Sequence, residues 1–101
     1  MFRYTIQVVF DDDSVAEEWL EWLREGHAAD LIAGGAERVE VIQLDGPQTT
    51  LEARYDFRDR DAFEQYERES APRLREEGTQ RFPPSRGARY RRSTGVVVFR
   101  E

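Results

Sequence analysis

The stretch SVAEEWLEWLREGHAADL, Ser14 to Leu31, decides how this chain folds. At about 100° per residue, Val15, Ala16, Trp19, Leu20, Trp22, Leu23 and His27 fall within roughly half of a helical circumference. Glu17, Glu18, Glu21, Arg24 and Glu25 occupy the other half. The spacing predicts one amphipathic helix that carries two tryptophans and the only histidine, His27, toward a core. Ser14 and Glu17 form a capping-box pattern at its start. Gly26 weakens the helix, and Gly34-Gly35 ends it.

Outward from that helix, the pattern changes to a period of two. Phe2, Tyr4, Ile6, Val8 and Phe10 alternate with Arg3, Thr5, Gln7 and Val9, which predicts a first strand. Asp11-Asp12-Asp13 closes it and places negative charge near the helix N-terminus. Downstream, Arg38 to Leu44 and Thr49 to Phe57 read as a hairpin around Asp45-Gly46-Pro47-Gln48. In its second strand Leu51, Ala53, Tyr55 and Phe57 share a face. A second helical region starts near Asp59 and carries Phe63 and Tyr66. Pro72 would break it, with Ser70 capping a restart through Leu74 that ends near Gly78 to Phe82. Tyr90 to Arg100 reads as a fourth strand, and its Val96–Phe99 run predicts burial.

The order β-α-β-β-α-β predicts one ferredoxin-like α+β domain over residues 1–101, with two helical regions on one face of a four-stranded antiparallel sheet. The open face mixes Val9 and the valine run with Thr5, Gln7, Glu52 and Arg54. A homodimer joined through that face, with a partly polar centre, accommodates both.

Composition excludes several chemistries. All fifteen basic residues are arginine, so a lysine Schiff base is excluded. With no cysteine there is neither disulfide nor thiol chemistry. No G-x-S-x-G and no second histidine support nucleophilic catalysis, and the glycines lack phosphate-loop spacing. One histidine without cysteine makes a poor zinc site, so no metal and no cofactor are expected. The longest apolar runs are too short to cross a membrane, and no basic region precedes a long apolar stretch, so a cytoplasmic protein is expected.

Net charge is −6 but uneven: residues 1–70 hold 7 Arg against 18 acids, while residues 71–101 hold 8 Arg against 3. The acidic part should repel nucleic acid, and the arginines should pair with it internally or across a dimer.

Two segments carry a resemblance. Trp19-Leu20-Glu21-Trp22-Leu23-Arg24-Glu25-Gly26-His27 and Ala71-Pro72-Arg73-Leu74-Arg75-Glu76-Glu77, running on to Arg81-Phe82, resemble the helix motifs of a small bacterial family of unknown function. That family belongs to the dimeric α+β barrel superfamily, which includes the antibiotic-biosynthesis monooxygenases. The resemblance implies a ferredoxin-like subunit, a sheet-to-sheet dimer and a cavity between helices and sheet.

The candidate ligand pocket is Trp19, Leu23, His27, Tyr4, Tyr55 and Phe57, suited to a small aromatic or apolar molecule. His27 reads either as a core histidine, oriented by Asp30 or a strand tyrosine, or as a general base poised by burial. A heme ligand is a further alternative and rests on the superfamily alone. Arg89 and Arg91 share a face of the last strand and could hold a carboxylate or phosphate. The expected function is a small-molecule-binding or structural module; the alternative is a cofactor-independent monooxygenase or isomerase using His27 as base.

Overall fold

Strand β1 (Phe2–Phe10) presents its alternate apolar side chains to one side, and this makes it the centre of the sheet. The computed structural model describes all 101 residues. In it, β1 pairs antiparallel with β3 (Thr49–Phe57) on one flank and with β4 (Ala88–Val96) on the other. Strand β2 (Ala36–Leu44) pairs antiparallel with β3, so the sheet order is β2-β3-β1-β4. With its helices laid on one face, this is the ferredoxin-like α+β arrangement.

Register places the core. Phe2, Tyr4, Ile6, Val8 and Phe10 lie opposite Phe57, Tyr55, Ala53, Leu51 and Thr49. On the other flank the same five residues meet Val96, Thr94, Arg92, Tyr90 and Ala88. One side of the sheet is therefore apolar at its middle and becomes polar along β4. Trp19, Leu31, Phe63, Tyr66, Leu74 and Phe82 from the helical layer complete a single buried cluster with it.

The first helical region is not one helix. Helix α1 (Asp13–Trp22) passes into a π turn (Leu23–His27) and then into α2 (Ala28–Ala33). The Ala28 N–H donates to the Leu23 carbonyl, five residues back, and Gly26 leaves helical geometry. Periodicity over residues 14–31 cannot register that break, because the apolar positions on both sides remain buried. The N-cap is also shifted from the predicted one. Asp12, not Ser14, accepts the capping bond, from the Ser14 N–H at 2.8 Å.

The second region divides where proline demands it. Helix α3 (Arg60–Glu69) is capped by Asp59, which accepts from the Ala62 N–H at 2.8 Å. Helix α4 (Ala71–Arg81) restarts after Ser70 with Pro72 in its first turn, where no amide hydrogen is needed. Ser70 makes no capping bond. It lies instead against Gly34, where an added Cβ would come within 3.1 Å of Ser70 Oγ and 3.0 Å of the Tyr66 ring. That glycine lets the end of α2 approach the α3–α4 junction.

Strand β4 stops at Val96 rather than Arg100. Val98 and Phe99 are 92% and 77% exposed in the single chain, where their run predicted burial under a partner. A single chain offers nothing to cover them. No helix is long and apolar enough to cross a membrane.

The uneven charge is largely settled within the chain. Arg75, Arg86, Arg89 and Arg100 pair with Glu67, Glu18, Asp11 and Asp56 of the acidic part. Arg92 has no carboxylate partner.

Candidate functional site

The π turn sets the geometry of the site. In an unbroken α-helix, residues five apart point about 140° away from each other. The wider turn from Leu23 to His27 brings His27 back over Trp22, and their rings stack at 3.8 Å between centroids with 17° between planes. Single-turn π insertions of this kind recur at functional positions. Trp22 is held from its other sides by Phe82, 5.4 Å away, and by α4. Gly78 permits that approach, since a Cβ there would lie 3.2 Å from the indole.

Beneath this stack lies a cavity between the helices and the sheet. Tyr4 and Ile6 from β1, Tyr55 from β3, and Tyr90 and Arg92 from β4 form its floor. Trp19, Trp22, His27 and Leu31 form one wall, and Tyr66, Leu74, Arg75, Gly78 and Thr79 the other. The space within is about 30 Å³, and a more open bay of about 260 Å³ adjoins it across the shared residues Tyr4, Arg75 and Arg92. The tyrosines form a packed cluster. Tyr4 stacks on Tyr55 at 5.7 Å and lies 6.3 Å from Tyr66.

Three buried side-chain polar atoms in the chain lack a hydrogen-bond partner: His27 Nδ1, Tyr55 Oη and Arg75 Nε. All three residues line this cavity. Burial lowers the His27 pKa to about 4, a shift that Asp30 and Glu77 partly offset and Arg73 reinforces. The imidazole is therefore neutral at pH 7. Burial raises the Tyr55 phenol well above its ordinary value and pushes Tyr66 up to about 12. Neither Asp30 nor a tyrosine makes the orienting hydrogen bond expected for His27.

Arg92 Nε donates to the Tyr4 hydroxyl at 3.2 Å, which leaves the terminal guanidinium nitrogens without a protein partner. Arg75 lies over the Tyr4 ring at 5.7 Å and pairs with Glu67 at 3.3 Å. The neck between cavity and bay thus holds two guanidinium groups and one carboxylate.

Of the predicted pocket residues, Tyr4, Trp19, His27 and Tyr55 meet here. Leu23 and Phe57 do not. Leu23 turns toward β2, where it lines an apolar groove with Leu20 and Val41. Phe57 is fully buried one strand pleat beyond Tyr55, packed on Phe63 and Tyr66 at 5.3 Å each. Sequence reasoning missed Arg75, Arg92 and Tyr66. For Arg92 the alternation of Ala88, Tyr90 and Arg92 was a usable sign, because it puts an arginine on the helix-covered face. Arg89 and Arg91 point to the open face; Arg89 is held by Asp11 at 2.6 Å and by Gln48. An anion there would meet Arg91 alone. No cluster of three or more His, Cys, Asp or Glu side chains is placed to hold a metal ion.

A family model described as a domain of unknown function, DUF4286, matches residues 1–91. No functionally curated protein matches the chain. Among solved structures, a dimeric ferredoxin-like protein from an uncultured marine organism is 16% identical with a TM-score of 0.78. That match covers 99% of this chain and 97% of the other. A second dimeric ferredoxin-like protein of the same type of source, also 16% identical, gives a TM-score of 0.73 over 100% and 98% of the two chains. HapK from Hahella chejuensis is 18% identical, with a TM-score of 0.67 and coverage of 100% and 96%. At such identity these are likenesses of fold.

Proposed function

This chain belongs to the DUF4286 family, and from that premise we propose that it is a single-domain, homodimeric small-molecule-binding protein of the bacterial cytoplasm. Its ligand site is the cavity between helices and sheet together with the bay into which it opens. The observation that carries this reading is the convergence of six aromatic side chains and a neutral, unpartnered histidine on one cavity that opens into a bay. A core needs no such opening; a cavity with aromatic walls and a few convergent polar groups is what ligand sites share.

The dimer is supported by two structural relatives described as dimeric. It is also supported by exposed Val98 and Phe99, which follow β4 beside an open sheet face threaded by Arg3–Asp56, Gln7–Glu52 and Arg54–Glu52 contacts. A second copy laid on that face would bury the apolar end and keep the polar centre bonded.

The second reading is a cofactor-independent monooxygenase or isomerase with His27 as general base, in line with the superfamily resemblance. Its support is the unpartnered Nδ1 at the cavity wall. A base held near 4 lies well below the pKa that suits proton abstraction at neutral pH, and binding therefore stands first.

The test is a screen of small aromatic compounds by NMR, following the indole N–H signals of Trp19 and Trp22. Hits that shift Trp22 and are lost in Trp22→Ala support the reading. A screen in which no compound perturbs either indole contradicts it. Oxygen uptake or isomerisation of an enolic hit by the wild type, abolished in His27→Gln with binding retained, would replace it with the enzymatic reading.

A further inference from the structure

We propose that the cavity selects small aromatic acids that carry a second oxygen near the carboxylate, as in a hydroxy- or oxo-acid. This rests on the binding reading above and specifies its ligand. The two arginines at the neck hold the carboxylate, and Tyr55 holds the second oxygen.

The polarity of the unpartnered atoms points this way. Arg75 Nε–H can only donate, so no donor group on a ligand satisfies it. The Tyr55 hydroxyl, fully buried and held in its neutral form, also has a hydrogen to give. Leaving such donors sealed and unbonded carries the full cost of their lost hydration. Acceptor oxygens at two places would relieve that cost.

Charge makes the outer acceptor anionic. Glu67 answers Arg75, while Arg92 is unanswered, so the neck keeps an excess positive charge. Arg92, with its terminal nitrogens free, and Arg75 both line this opening, and a planar carboxylate matches such guanidinium groups.

Volume fixes which part goes where. About 30 Å³ accommodates a water-sized group, not a ring. The inner cavity therefore takes the second oxygen, within the reach of Tyr55 and beside His27. The ring stays in the bay of about 260 Å³, next to Tyr4 and Phe63.

The experiment titrates the 101-residue chain with salicylate, benzoate, salicylamide and benzamide, reading affinity by calorimetry and the site by the Trp22 indole signal. Salicylate should bind at least tenfold more tightly than salicylamide and severalfold more tightly than benzoate. Arg92→Gln, at an exposed position, should remove the preference for acid over amide, with folding checked by circular dichroism. Tyr55→Phe should remove the preference for salicylate over benzoate, with folding checked by circular dichroism. Equal affinity for acids and amides, with Trp22 perturbed by both, overturns this proposal and leaves the binding reading standing. An acid preference untouched by Arg92→Gln also overturns it. Failure of all four probes, together with an empty aromatic screen, overturns both.

Discussion

Trp19 and Trp22 are three positions apart on one helix, yet they do different things. Trp19 is 3% exposed and packs on Phe10 at 5.8 Å, while Trp22 is half-buried and forms the cavity wall. Trp19→Ala should cost about 3–5 kcal/mol in urea unfolding. Trp22→Ala should cost clearly less, because the wall it leaves opens to solvent. Equal costs would mean that Trp22 is ordinary core. His27 adds a pH signature. Its folded pKa is near 4 against an ordinary 6.5, so the unfolded chain binds a proton in that interval that the folded chain refuses. Stability should be complete above pH 6.5 and decline as pH falls toward 4, by up to about 3 kcal/mol. His27→Phe should lack the slope in that window. The sequence made His27 and its aromatic neighbours legible as residue types on one face. It could not show that His27 stacks on Trp22, because that contact depends on the π turn.

Among the elements, strands were the easier reading. β1 and β3 follow strict alternation, and side-chain period alone fixes which residues face the helices. Helix ends were harder, since several polar residues compete for each cap. Asp11-Asp12-Asp13-Ser14 offers four candidates, and only the backbone geometry selects Asp12. Asp12→Ala should therefore lower stability, with a smaller loss for Ser14→Ala. The reverse order in denaturant midpoints would restore Ser14 as the cap. The end of β4 was misread for a different reason. A run of valines and a phenylalanine signals that something covers it without saying whether the cover comes from the same chain.

For the whole molecule, that exposed end joins a sheet face whose charges are already paired. Asp56, buried on that side, accepts from Arg3 at 2.8 Å, and Arg100 lies near. The Arg3 hydrogen bond holds its carboxyl below the usual 3.8. The resulting stabilisation is present above the unfolded pKa and is lost as pH falls through the folded one. Arg3→Gln should weaken the fold at neutral pH and flatten the acid limb below pH 4. Light scattering should give about twice the 11.9 kDa chain mass. Val98→Asp with Phe99→Asp should shift it toward one chain without loss of helical signal. A monomeric wild type would contradict the proposed assembly. The sequence supported this fold through element order, but the neck of the cavity joins residues far apart in the chain. Arg75 and Arg92 meet at Tyr4 only once β4 has paired with β1.

The site depends on His27 being carried by the π turn onto Trp22 at the wall of the cavity. Since the chain has one histidine, its imidazole C–H signals can be followed by NMR across pH without ambiguity. The structure predicts a midpoint near 4 and an upfield ring-current shift that disappears in Trp22→Ala. A midpoint near 6.5 with no dependence on Trp22 would place the imidazole in water and contradict it.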